Sequence, residues 1–177
     1  MASRVWHITG ANKGLGLELA LKALKEGDRV IAAVRSPDKA PSALKNDNAK
    51  ILKFDLSWSQ DGINEYAKKA FDAFGTVDVL VNNAGYAYMG AIEESEDAAV
   101  KEQFDANVFA MLRVIRAFLP QMRDQGHGLI MNLSSVGGFS SFATNGIYCA
   151  TKFAVEGITQ ALASEYEAIW KSTDFKE

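Results

Sequence analysis

The chain has 177 residues, of which 48% are hydrophobic and 23% are charged, and its formal net charge is −3. This length suits one domain with a sizeable core, and the slightly acidic balance argues against binding to nucleic acid or to a membrane surface. Every apolar run is shorter than the roughly 20 residues of a membrane span, so we expect no membrane segment.

Strand-like apolar runs alternate with helical patterns along the chain. This alternation is typical of parallel βαβ units. We predict strands over residues 5–9, 29–34, 50–54, 77–82 and 128–133, and helices over 15–26, 61–74, 97–123 and 145–170. Pro120 is expected to bend the third helix, because proline removes a hydrogen bond from the helix interior. The first strand follows Met1 almost directly, which predicts no signal peptide.

A glycine-rich segment, Thr-Gly-Ala-Asn-Lys-Gly-Leu-Gly at 9–16, joins the first strand to the first helix. Glycines permit a tight turn and a close approach of the backbone to a phosphate, and a helix N-terminus offers N–H groups. The spacing is G-x-x-x-G-x-G rather than the G-x-G-x-x-G of the general dinucleotide fingerprint. Alone, this segment is weak evidence for a nucleotide.

Tyr148 and Lys152 are four residues apart in a predicted helix and therefore share one face. An ammonium beside a phenol favours the phenolate form, which suits a tyrosine that accepts or donates a proton. Ser135 lies thirteen residues before the tyrosine, after the fifth strand. Alone, the pair could also be an ordinary amphipathic pair without a catalytic role.

The combined motifs resemble the short-chain dehydrogenase/reductase family. The resemblance rests on 9–16, Asn-Asn-Ala-Gly at 82–85, Asn107, Ser135 and Tyr-x-x-x-Lys at 148–152, and it covers essentially the whole chain. It implies an α/β fold: a Rossmann-like doubly wound parallel sheet of order 3-2-1-4-5 with helices on both faces. It also implies a single dinucleotide-binding domain over residues 1–177, whose ligand-binding segments follow strands one, four and five.

The resemblance also implies roles for individual residues. Tyr148 would be the general acid in carbonyl reduction and the base in alcohol oxidation, and Ser135 would hydrogen-bond the substrate oxygen. Lys152 would assist the tyrosine and hold the nicotinamide ribose, and Asn107 would anchor a water in a proton relay. The cofactor-binding residues would be Gly10, Asn12, Lys13, Gly14, Leu15, Gly16, Arg35, Asp55, Leu56, Asn83, Ala84, Gly85, Tyr148 and Lys152.

Charge at the end of the second strand predicts NADP(H) as the cofactor. Enzymes that use NAD generally carry an acid there, which binds the ribose 2′-hydroxyl. Here the strand ends at Val34, Arg35 follows at once, and Lys13 adds a cation within the glycine-rich turn. Both cations suit a 2′-phosphate, although they could instead be solvated surface charges, and Asp55 could simply cap a turn.

Apolar residues flank the candidate catalytic positions and predict a hydrophobic ketone or alcohol as substrate. They are Tyr86, Tyr88, Met89, Phe139, Phe142 and Ile147. Packing in the core or the loops would explain them equally well. The leading hypothesis is therefore an oxidoreductase that interconverts a ketone and a secondary alcohol. A non-redox isomerase, lyase or cyclase on the same scaffold, or a vestigial binding module, are the alternatives.

Family members are usually longer than this chain, so we expect carboxyl-terminal strands six and seven to be missing and strand five to be an open edge. The two long helices are the usual dimer face of the family and predict a homo-oligomer. The lone Cys149 cannot form an internal disulfide, which favours a cytoplasmic location. His7 and His127 lack the spacing of metal ligands, so we predict no metal.

Overall fold

The computed structural model describes residues 3–173, with side chains as far as residue 165. Its strands are β1 (Val5–Thr9), β2 (Arg29–Val34), β3 (Ala49–Lys53), β4 (Val79–Asn82) and β5 (Leu129–Asn132). Its helices are α1 (Gly14–Lys25), α2 (Gln60–Phe74), α3 (Asp97–Phe104), α4 (Ala110–Asp124) and α5 (Gly146–Thr173). Each predicted strand is present, with ends that shift by a few residues. The predicted helices are present too, except that the helix expected over 97–123 is divided into α3 and α4.

The described residues form two compact units. Unit 1 comprises Met1–Tyr86 and Asp105–Leu133 and contains all five strands with α1, α2 and α4. Unit 2 comprises Ala87–Phe104 and Ser134–Glu177 and contains α3 and α5. The single-domain expectation stays a prediction.

The sheet of unit 1 is parallel, with the order β3-β2-β1-β4-β5. The predicted strand order is therefore confirmed. At the centre, His7 of β1 lies between Ile31 of β2 and Leu80 of β4. Because β1 and β4 are neighbours, the segments that leave their carboxyl ends emerge side by side, where ligands of such sheets bind.

Helices cover both faces of the sheet, as predicted. One face packs Val5 and Leu80 against α2 and α4, where Ile63 and Phe118 are fully buried. The other face packs β2 and β4 residues against α1, with Ala20 at the contact. Successive strand residues point to opposite faces, so the near-continuous apolar strands are explained by burial on both sides.

His7 belongs to the core of unit 1 rather than to a metal site. Its Nε2 lies 2.8 Å from the Tyr66 hydroxyl oxygen, and its ring centroid lies 4.6 Å from that of Phe118. Complete burial lowers the pKa of His7 to about 3, so the ring is neutral at physiological pH. Among the described residues, no group of three or more potential metal-ligating side chains occurs.

The predicted long helix is interrupted at a place that the sequence does not mark. A π-helical turn over Asp105–Phe109 separates α3 from α4. Pro120 lies inside α4, which is continuous from Ala110 to Asp124, and the bend expected at this proline stays a prediction. The irregularity surrounds Asn107. None of the described helices has both the length and the apolar character of a membrane span.

Candidate active site

The glycine-rich turn of unit 1 leaves the start of α1 accessible to an anion. Gly10 and Gly14 have φ angles of 70° and 55°, a left-handed region that glycine adopts without strain. Lys13 precedes α1 without a side-chain capping bond, and the first helical turn contains no acidic residue. Asn12, Lys13, Gly14 and Leu15 are all exposed. An uncapped N-terminus with its positive dipole end suits a phosphate.

Gly16 allows the two ligand-edge segments of unit 1 to approach closely. A Cβ atom at this position would lie 2.6 Å from the carbonyl oxygen of Gly10 and would overlap the side-chain amide of Asn83. A Cβ on Gly10 would lie 3.3 Å from the Cα of Ala84. The glycines therefore serve two purposes, since they open the turn to a ligand and pack it against the segment after β4.

Thr9 fastens these two segments together. Its Oγ1 accepts hydrogen bonds from the N–H groups of Asn83 and Ala84, each at 3.0 Å. The Asn83 side chain returns a bond from Nδ2 to the Thr9 carbonyl oxygen at 2.8 Å. Sequence reasoning missed this role of Thr9. The available signal was a hydroxyl residue placed directly before the glycine-rich turn.

Arg35 and Asp55 lie within electrostatic range of each other after β2 and β3. The Asp55 carboxylate accepts from the N–H and the hydroxyl of Ser57, at 2.9 and 2.8 Å. The bond from the Ser57 N–H, assisted by the hydroxyl and by the charge of Arg35, lowers the pKa of Asp55. Asp55 thus caps a turn, which is the plain alternative that its sequence position allowed. Arg35 is exposed.

Asn107 binds the backbone of Tyr86 through both ends of its side-chain amide. The Tyr86 N–H donates to Asn107 Oδ1 at 3.1 Å, and Asn107 Nδ2 donates to the Tyr86 carbonyl oxygen at 2.9 Å. A Cβ on Gly85 would lie 2.9 Å from Asn107 Oδ1. This arrangement fixes the chain after β4, and the water-relay role expected for Asn107 stays a prediction.

Tyr148 and Lys152 lie on the same side of α5 in unit 2. The ammonium nitrogen of Lys152 is 5.7 Å from the centroid of the Tyr148 ring, within cation–π range. Lys152 is only 8% exposed, and burial lowers its pKa. The spacing-based expectation that these two groups are adjacent agrees with the structure.

Ser135 begins a short 3-10 turn, Val136–Gly138, that packs on α5. Its Oγ accepts from the Gly137 N–H at 3.1 Å. A Cβ on Gly137 would lie 3.5 Å from the Tyr148 ring, and one on Gly138 would lie 3.3 Å from the Lys152 carbonyl oxygen. Sequence reasoning missed both glycines, although a Gly-Gly pair directly after the serine was a usable signal.

Three exposed apolar side chains of unit 2 lie on the loops that precede α3 and α5. Met89, Phe139 and Phe142 are 67%, 75% and 48% exposed. Their two loops are tied by a hydrogen bond of 2.9 Å from the Gly90 N–H to the Thr144 carbonyl oxygen. Single exposed apolar residues need no explanation, but a group of this size usually marks a binding surface.

A parallel sheet of this order, with a glycine-rich turn after its first strand, defines a Rossmann-like dinucleotide-binding fold. Residues 4–169 match the family model described as short chain dehydrogenase. The chain therefore belongs to the short-chain dehydrogenase family.

Known relatives agree with this assignment. Oxidoreductase calM of Penicillium decumbens is 36% identical over 177 residues, covering 96% of this chain but 58% of that protein. A short-chain dehydrogenase from Streptomyces avermitilis is 38% identical with a TM-score of 0.88, covering 93% of this chain and 60% of that one. A metagenomic short-chain oxidoreductase in complex with NADP is 30% identical with a TM-score of 0.86, covering 93% and 77%. The chain thus spans about three fifths of the first two proteins.

Proposed function

We propose that the chain is an NADP(H)-dependent oxidoreductase that interconverts a ketone and a secondary alcohol, with Tyr148 as general acid and base. The observation that carries this proposal is that Lys152, a residue only 8% exposed, places its ammonium nitrogen 5.7 Å from the Tyr148 ring centroid. A cation in this position compensates for the negative charge that develops on a phenol as it gives up a proton.

The cofactor residues of unit 1 fit a dinucleotide. Gly10 and Gly14 adopt positive φ angles, a Cβ on Gly14 would meet no atom within 4 Å, and α1 begins without a capping side chain. Its main-chain N–H groups would hold the pyrophosphate. Arg35 and Lys13 are exposed cations, and β2 ends at Val34 rather than at an acidic residue. Both features support NADP(H) over NAD(H) as the cofactor. The NADP complex of a similar oxidoreductase also supports this choice.

Bound NADPH would supply a hydride to the carbonyl carbon of the substrate. In this direction Tyr148 gives its hydroxyl proton to the carbonyl oxygen, so that the product is an alcohol. Ser135 would donate a hydrogen bond to the same oxygen, because its Oγ uses only an acceptor site toward Gly137. In the oxidising direction Tyr148 takes the proton back.

The substrate would be a hydrophobic small molecule. Met89, Phe139 and Phe142 are exposed in the same unit as Ser135 and Tyr148, and apolar walls with few polar groups are typical of small-molecule sites. We further propose that residues 1–177 act as one dinucleotide-binding domain, in the cytoplasm, and associate through α4 and α5 into a homo-oligomer.

The test is a spectrophotometric screen of NADPH oxidation with a panel of hydrophobic ketones. Tyr148→Phe should lower kcat by about 10²–10⁴-fold, the usual contribution of a positioned general acid. NADPH binding, followed by fluorescence, should weaken by no more than about fivefold in the same variant, because the substitution removes one hydroxyl and hence at most one hydrogen bond. Full turnover by Tyr148→Phe would refute the acid/base role, and stronger binding of NADH than of NADPH would refute the cofactor assignment.

A further inference from the structure

Arg113 of α4 uses its guanidinium group to contact two distant segments of unit 1. Nη1 and Nη2 donate to the two carboxylate oxygens of Asp105 at 3.0 and 3.1 Å, which makes a bidentate pair. Nη2 also donates to the Leu56 carbonyl oxygen at 2.9 Å. The Arg113 side chain is 18% exposed. A planar fork of this kind fixes orientation as well as distance.

The Asp105 contact stabilises the π-helical turn. Asp105 is the first residue of this turn, and Asn107, two residues later, holds the backbone of Tyr86. A π turn is rare and interrupts the regular hydrogen bonds of a helix, so it needs compensating contacts. Arg113 provides one from the second turn of α4.

The Leu56 contact stabilises the segment after β3. Leu56 follows Asp55, whose carboxylate already organises the turn through Ser57. A second bond joins the same regions, because Gln60 at the start of α2 donates from Nε2 to the Arg113 carbonyl oxygen at 3.0 Å. Arg113 is therefore held to the β3–α2 segment by both its side chain and its main chain.

We propose that Arg113 is a positioning residue that holds the adenosine-binding segment, Asp55 and Leu56, and the Asn107 turn in one fixed arrangement. The inference rests on the proposed function, since that function assigns Asp55 and Leu56 to the adenosine end of the cofactor. Loss of the guanidinium frees both segments. Loss of the Asp105 carboxylate frees only the π turn, because the bond from Arg113 to the Leu56 carbonyl remains.

The experiment separates these two effects with a probe for the adenosine half alone. Calorimetry measures the Kd of 2′,5′-ADP, and NADPH oxidation measures kcat. Arg113→Met should raise the Kd of 2′,5′-ADP by about fivefold or more, the effect of losing one good hydrogen bond in positioning, and should lower kcat. Asp105→Asn should lower kcat and leave this Kd within about twofold. Arg113→Lys, which keeps the charge without the fork, should not restore the Kd.

Arg116→Met is the matched control, because Arg116 lies three residues along the same helix and is exposed. It should bind 2′,5′-ADP like the wild type. If Arg113 had only a structural role, Arg113→Met would lower the melting temperature without changing the Kd of 2′,5′-ADP for the folded protein. An unchanged Kd in this variant therefore overturns the inference. If the wild type binds neither 2′,5′-ADP nor NADPH, the proposed function itself fails and the inference fails with it.

Discussion

Replacing Gly16 by alanine tests whether the glycine-rich turn is packed as tightly as the structure indicates. The added Cβ would lie 2.6 Å from the Gly10 carbonyl oxygen and would overlap the side-chain amide of Asn83. Either the backbone at Gly10 or the Asn83 side chain must therefore shift. Overpacking of this kind costs about 1–3 kcal/mol. Displacing Asn83 also breaks its bond to the Thr9 carbonyl oxygen, which adds about 0.5–1.5 kcal/mol. We expect a loss of about 2–4 kcal/mol in the free energy of unfolding.

Urea unfolding followed by circular dichroism, without cofactor, measures this loss directly. Gly157→Ala is the control, because a Cβ there meets no atom within 4 Å, and alanine in a helix interior should stabilise by about 0.5–1 kcal/mol. Gly14→Ala meets no atom either but has a φ of 55°, so it should cost about 1–2 kcal/mol from backbone strain. Stability of Gly16→Ala within about 0.5 kcal/mol of the wild type would refute the reasoning.

Three further changes address the core, the turn that packs on α5 and the cofactor. Burial lowers the pKa of His7 to about 3 in the folded protein, so below a pH of about 6.5 the unfolded chain binds a proton at His7 while the folded chain does not. The free energy of unfolding should therefore fall by up to about 1.4 kcal/mol per pH unit. His7→Gln should lack this slope in urea titrations between pH of about 6.5 and 5. Gly138→Ala puts a Cβ 2.7 Å from Ser134 Oγ and should cost about 1–3 kcal/mol on denaturation. Arg35→Glu should weaken binding of NADPH by about tenfold or more relative to NADH. Lys25→Glu, at the far end of α1, should leave the ratio of the two affinities unchanged. The same NADPH-to-NADH affinity ratio in both variants would contradict a role of Arg35 in binding the 2′-phosphate.

Much of the fold could be predicted because its signals are local. β1 and β2 have the predicted bounds, since each is an apolar run that ends where the backbone turns. α2 ends at Gly75 with a φ of 81°, the left-handed stop that glycine favours. The four-residue spacing of Tyr148 and Lys152 predicted their adjacency for the same reason, because one helical turn determines it.

The parts that sequence reasoning missed depend on contacts between distant residues. Thr9 and Asn83 are 74 positions apart, so no local pattern links the hydroxyl to the segment that it holds. The π turn contains neither glycine nor proline, so no helix-breaking residue marks its position in the sequence. Its support comes from Arg113 and Tyr86, which lie outside the turn.

The π turn gives a physical reason for an asparagine inside a helix. Asparagine is a poor helix former because its side-chain amide competes for backbone groups. The Asn107 amide instead hydrogen-bonds to the backbone of Tyr86, outside the helix. One amide end accepts from the Tyr86 N–H while the other donates to the Tyr86 carbonyl, as a neighbouring β-strand would do. A carboxylate could accept but not donate, and an aliphatic side chain could do neither. The widened turn, the Asn107 amide and Gly85, which leaves space for the amide oxygen, therefore act together and fix the chain where it leaves β4.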